Sequence, residues 1–62
     1  MGKKKILTDA IGQIRQMADM NRADANDPDE DEKYRYAAGA SAFAQECVID
    51  VLTGMLNDPK VR

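Results

Sequence analysis

The densest set of potential ligand groups is an acidic run near the middle of the chain. Its carboxylates are Asp24, Asp27, Asp29, Glu30, Asp31 and Glu32. Asp24 and Asn26 match the first and third ligand positions of a calcium loop, but Pro28 occupies the fifth. Arg35 stands where the bidentate carboxylate is needed. The pattern therefore favours two other roles: charge placed against the positive end of a helix, or an acidic surface that docks a basic partner protein.

Catalysis and metal binding have few residues to use. The chain contains no histidine and one cysteine, so it forms no internal disulfide and lacks the ligands of nearly every structural zinc site. Cys47 has no histidine base and is expected to be a buried, inert thiol. Glu46 and Asp50, spaced four residues apart, lack further ligands for a metal. We expect no enzyme activity, no catalytic residue, no cofactor and no metal.

A second cluster, at positions 33–36, alternates two cations with two aromatic rings. In a helix these four side chains point around most of the circumference, so one chain cannot aim all of them at one ligand. An oligomer can add arginines from another helix, with a tyrosine stacking on a base and the cations holding phosphate. The candidate ligand-binding residues are Lys33, Tyr34, Arg35, Tyr36, Arg15 and Arg22.

Two helices must position these groups. Leu7, Ile11, Ile14 and Ala18 alternate spacings of four and three, which predicts helix 1 over residues 5–23. An acidic turn at 24–27 follows, and residues 1–4 form a basic, flexible tip.

The second helix is predicted from an apparent N-terminal cap. Asp27 can cap free N–H groups, Pro28 suits the first helical position, and Glu30 can reach back as the third residue. Nothing interrupts this helix before Pro59. Helix 2 is therefore expected over residues 28–57, about 45 Å long against about 28 Å for helix 1, with 59–62 as a tail.

Helix 2 is apolar over more than half of its circumference. One apolar seam contains Tyr36, Ala40, Phe43, Cys47 and Val51, and a second contains Tyr34, Ala38, Val48, Leu52 and Met55. One antiparallel neighbour cannot cover both seams, and such helices belong inside bundles. The expected oligomer interface consists of Tyr36, Ala40, Phe43, Cys47, Val48, Val51, Leu52 and Met55.

The size of the chain also calls for a second subunit. For 62 residues, apolar burial contributes on the order of 90 kcal/mol, while ordering the chain costs about 93 kcal/mol. We therefore expect an all-α, two-helix antiparallel hairpin, one domain over residues 1–62, that assembles into a homodimeric four-helix bundle or a higher helical oligomer. This layout resembles the ROP-type dimeric four-helix bundles, in architecture and without a shared motif.

Charge and hydropathy restrict the partners. The net charge is -2, which argues against nucleic-acid binding through overall positive charge. The longest uncharged run, residues 36–45, is too short to span a bilayer. No secretory signal is recognised, and a cytoplasmic location is expected.

These features favour a small acidic inhibitor or adaptor that binds a macromolecular partner, most simply a protein. The expected partner-binding residues are Asp27, Asp29, Glu30, Asp31, Glu32, Arg35, Glu46 and Asp50. Two alternatives stay open: an oligomer that sequesters a nucleotide or small ligand at its subunit junctions, and a ROP-like bundle that binds RNA.

Overall fold

The chain folds into a two-helix hairpin. The computed structural model describes residues 2–61, in which α1 (Lys3–Ala25) and α2 (Glu32–Leu56) pack against each other. The helices are antiparallel: Asn21 near the end of α1 lies beside Gln45, while Ile6 near its start lies beside Met55. The predicted all-α hairpin is confirmed. Met1 and Arg62, which belong to the predicted tip and tail, lie outside the described residues.

The start of α2 differs from the prediction. Asp27 Oδ1 accepts a hydrogen bond from the Asp29 N–H at 2.9 Å, and the Glu30 N–H donates to the Asp27 carbonyl at 3.2 Å. This is a β-turn with Pro28 at its second position, which the same residue types favour as strongly as a helix cap. The predicted start at Pro28 is wrong: Asp31 precedes the helix and Glu32 begins it.

The predicted inequality of the two arms is wrong for the same reason. α1 extends from Lys3, within the expected basic tip, to Ala25, and contains 23 residues against 25 in α2. At 1.5 Å per residue both arms are close to 35 Å long. The hairpin is therefore nearly symmetric in length, and α1 spans almost the whole of α2.

The contact between the helices uses small side chains. The buried residues are Ala18, Ala38, Ala42 and Ile49. These four residues and the half-buried residues that flank them form the set of contact positions, which are spaced alternately three and four apart. They are positions 7, 11, 14, 18, 21 and 25 of α1 and 35, 38, 42, 45, 49, 52 and 56 of α2. This is the repeat of an antiparallel coiled coil. Alanines at the central contacts permit the two backbones to approach closely, and a Cβ atom placed at Gly39 of α2 would lie 3.6 Å from that of Ala25 of α1.

The two predicted apolar seams of α2 are covered unequally. In the first, Tyr36 is 82% exposed and Phe43 is 67% exposed. In the second, Ala38 is buried and Leu52 half-buried, while Val48 is still 45% exposed. Helix α1 therefore covers one edge of the second seam and none of the first.

Candidate interaction surfaces

The interhelical contact divides the hairpin into two sides. Because successive residues are 100° apart on a helix, a residue that directly precedes a contact position lies on one side of the hairpin, as Met17 precedes Ala18. A residue that directly follows a contact position lies on the other side, as Arg22 follows Asn21. Two hydrogen bonds across the helices confirm the division. Tyr34 bonds Asp24 on the first side, and Arg22 bonds Glu46 on the second.

The first side is an apolar face. Its large exposed apolar side chains are Ile6, Met17, Met20, Val48, Val51 and Met55, and Tyr34, which bonds Asp24, lies at its closed end. Smaller or uncharged residues fill the rest of this side: Ala10, Gln13, Ala37, Ser41 and Ala44. No charged residue lies on this side of α1 between Lys3 and Asp24, so the apolar face is uncharged along most of the hairpin.

The second side is a charged face that contains cross-helix pairs. Arg22 Nη2 donates to Glu46 Oε1 at 2.6 Å, and the half-buried Asn21 Nδ2 donates to Gln45 Oε1 at 3.0 Å beside it. Other members of this face are Arg15, Asp19, Glu32, Phe43 and Asp50. Polar pairs of this kind fix the register of the two helices.

The expected partner-binding residues occupy two places. Asp29, Glu30, Asp31 and Glu32 are exposed at the closed end of the hairpin, and Asp27 is half-buried in the turn. Glu46 and Asp50 lie farther along the charged face. Arg35, expected with them among the partner-binding residues, is half-buried in the interhelical contact, and its Nε atom has no hydrogen-bond partner among the described residues.

The candidate ligand residues do not converge in one chain. Tyr34 Oη donates to Asp24 Oδ2 at 2.9 Å; this hydrogen bond, with the nearby negative charge, raises the pKa of the Tyr34 phenol above its ordinary value of 10.0. Tyr36 points away from the helix contact, and Arg22 is held by Glu46. Any ligand site built from these residues needs a second chain, as the sequence interpretation required.

Other potential sites are limited. Within residues 2–61 no group of three or more acidic or thiol side chains is arranged to hold a metal ion. A shallow apolar pocket of about 200 Å³ lies at the open end, lined by Lys3, Ile6, Leu7, Met55 and Val61. Its volume is below the range of ordinary small-molecule sites. Over the same residues neither helix is long and apolar enough to cross a bilayer.

The expected oligomer interface is also divided by the fold. Val48, Val51 and Met55 lie on the apolar face, whereas Leu52 packs toward α1. Ala40 and Cys47 lie on the outer surface of α2, and the Cys47 thiol is exposed in the single chain, where a buried one was expected.

The three large members of the apolar face on α1 were missed as surface residues. Their signal was present, because Ile6, Met17 and Met20 lie to one side of the stripe formed by Leu7, Ile14 and Ala18.

The fold and these surfaces define an antiparallel coiled-coil hairpin whose two sides differ in polarity. Comparison of the chain with protein-family models, with curated proteins and with solved structures finds no match.

Proposed function

We propose that this protein is a non-enzymatic interaction module, which homo-oligomerises and acts by stoichiometric binding of a macromolecular partner as an inhibitor or adaptor. The observation that carries this proposal is the distribution of apolar side chains. Nine large apolar residues are exposed in the described chain, whereas the buried residues are three alanines and Ile49. Six of the nine lie together on the apolar face, and contiguous apolar surface of this kind marks sites of protein association.

The accessible surface supports association quantitatively. The chain exposes 4785 Å², whereas a compact monomer of 6.9 kDa is expected to expose about 4,000 Å². The excess of about 800 Å² is the area that each partner buries in a standard protein interface. One association of that size gives the chain the burial of an ordinary small domain.

The acidic corner, residues 27–32, supports a basic protein surface as the partner. Four of its carboxylates are exposed, and no ion pair between them and a described cation is formed. Carboxylates in this state attract a complementary positive surface and accelerate its encounter. Homo-oligomerisation would present two or more such corners, so that a partner could be bound at more than one point.

Thermal unfolding followed by circular dichroism tests both parts. A melting temperature that rises with protein concentration is expected for an oligomer, because association stabilises the folded state. A synthetic helical peptide with a lysine-rich face should raise it further at low salt. The matched control is a variant with Asp29→Asn, Glu30→Gln and Asp31→Asn, which should lose the response to the peptide and keep the concentration dependence.

Two results would contradict this proposal. A melting temperature independent of concentration would remove the oligomer. A rise with cyclic or linear nucleotides, and none with the peptide, would replace partner-protein binding by nucleotide sequestration. Binding of RNA with a steep salt dependence would support the ROP-like alternative instead.

A further inference from the structure

We infer that the apolar face is covered by the apolar face of a second copy of this chain. The two hairpins are stacked head to tail, that is, a two-fold axis places the open end of each copy over the closed end of the other. This inference rests on the proposed function, because it assigns one surface and one orientation to the proposed homo-oligomer. The face is defined by Ile6, Met17, Met20, Val48, Val51 and Met55. The charged face and the outer surface of α2 then remain available to another partner.

The shape of the hairpin fits one further layer. Its radius of gyration is 14.2 Å and its extents are 45 × 16 × 11 Å. A compact protein of this length is expected to have a radius of about 10.6 Å, and one of twice the length about 13.7 Å. The hairpin is thus a thin layer whose radius of gyration already matches that of a compact protein of twice its length. A second layer on its broad side adds thickness without adding length.

The composition of the apolar face favours another copy of itself. At the closed end of this face, Met17 and Met20 of α1 lie beside the small Ala37 and Ala44 of α2. At the open end the sizes are reversed. The small Ala10 belongs to α1, and Val48, Val51 and Met55 of α2 are large. Ile6 at the start of α1 and Tyr34 at the start of α2 are the two large residues that depart from this pattern. A two-fold axis therefore brings large residues of one copy against small residues of the other, as an isologous interface requires.

Charge selects the orientation. Among the described residues at the open end of the hairpin, Lys3, Lys4 and Lys60 outnumber the single exposed carboxylate of Asp58, and the acidic corner, residues 27–32, lies at the closed end. Stacking closed end on closed end would place two acidic corners together, and like charges in proximity are repulsive. Head-to-tail stacking places the basic end of each copy beside the acidic corner of the other.

The unmodified chain contains probes for this interface. Met17, Met20 and Met55 are about half exposed in the hairpin and all belong to the apolar face. Cys47 is exposed on the outer surface of α2, away from that face. Brief oxidation with hydrogen peroxide should therefore slow by about threefold or more at all three methionines as the protein concentration is raised. The rate at which a disulfide reagent modifies Cys47 should stay the same.

Carbodiimide cross-linking of a mixture of ¹⁴N- and ¹⁵N-labelled chains tests the orientation. In one chain Lys3 and the acidic corner lie at opposite ends of a hairpin 45 Å long. Mixed-isotope links from Lys3 or Lys4 to residues 27–32 are expected. The variant Asp29→Asn with Glu30→Gln and Asp31→Asn should lose most of these links and keep its methionine protection.

The outcomes separate this inference from the proposed function. A chain that is monomeric at every concentration would remove both. An oligomer in which Cys47 is protected and the methionines react freely would keep the proposed function and overturn the assigned face. Methionine protection without links between the two ends would overturn the head-to-tail orientation.

Discussion

The two sides of this hairpin are formed by the same two helices, yet they differ in how completely their side chains find partners within the chain. On the charged face, Arg22 is paired with Glu46 and Asn21 with Gln45, so polar groups of α1 find partners on α2. On the apolar face, Met20 is 64% exposed and Val51 63% exposed, and no residue of the described chain, 2–61, covers them. Polar groups of the charged face are paired within the hairpin, whereas the apolar face is the side that the proposed second copy covers.

The largest expected effect comes from placing a charge on one side or the other. Val48→Asp would bury an unpaired carboxylate in the proposed interface, which costs about 3 kcal/mol or more and weakens association by about 100-fold or more. Phe43→Asp is the matched control, because it removes a large exposed residue of the charged face. Analytical ultracentrifugation should show dissociation for the first variant only. Dissociation by Phe43→Asp alone would assign the interface to the other side.

Enlarging the interhelical contact should destabilise the hairpin itself. Ala42 is 0% exposed, so Ala42→Leu inserts three carbon atoms between the helices and should cost about 1–3 kcal/mol through overpacking. Ala40→Leu makes the same change on the exposed outer surface of α2. Urea denaturation measures both. Equal stability of the two variants would show that Ala42 is not enclosed between the helices.

The polar pairs of the charged face should differ in strength. Asn21→Ala leaves the half-buried Gln45 amide without its partner and should cost about 1 kcal/mol. Arg22→Ala removes an exposed ion pair, worth about 0.2–1 kcal/mol and sensitive to salt. A double-mutant cycle on Asn21 and Gln45 isolates the first interaction. A coupling energy of zero would mean that this pair does not set the register.

A substitution away from the apolar face should stabilise the chain slightly. Nothing lies within 4 Å of a Cβ atom placed at Gly12, so Gly12→Ala should add about 0.5–1 kcal/mol through helix propensity alone. A Cβ atom at Gly39 would lie 3.6 Å from that of Ala25, an ordinary van der Waals contact, so Gly39→Ala is expected to gain at least as much. A loss of association in the Gly12 variant would indicate a contact on that side.

The smallest effect is a pH dependence at the closed end of the apolar face. The hydrogen bond to Asp24 and its negative charge raise the pKa of Tyr34 above 10.0 in the folded state. The resulting stabilisation is complete below pH 10 and is lost as the pH rises through the folded-state pKa, because the unfolded tyrosine ionises first. Ultraviolet titration of Tyr36→Phe isolates Tyr34, and Asp24→Asn should return its pKa toward the ordinary value.

Much of the fold could be predicted from the sequence because helical periodicity is a local signal. The stripe of Leu7, Ile11, Ile14 and Ala18 identified both α1 and its contact face. The start of α2 could not be predicted as well, because Asp27 and Pro28 favour a β-turn and a helix cap equally. The structure chooses the turn, which lets α2 begin at Glu32 and match α1 in length.

The surfaces were harder to predict, because they depend on which face of α2 meets α1. The sequence interpretation left open which apolar seam of α2 meets α1, and it assigned Tyr36, Phe43 and Val51 to the oligomer interface. In the structure Ala38 and Ala42 form the contact with α1. Small residues permit closer approach of the helices, so they can form the helix contact in place of large apolar residues. The expected interface residues were consequently distributed over two sides, whereas the cross-helix hydrogen bonds of the structure separate those sides.

Sedimentation equilibrium of the unmodified chain, over a wide concentration range and alongside circular dichroism, tests the central claim most directly. A folded chain is expected to have a mass about twice 6.9 kDa or a higher multiple, falling toward 6.9 kDa on dilution together with its helical signal. A fully helical species of 6.9 kDa at every concentration up to the solubility limit would contradict the account.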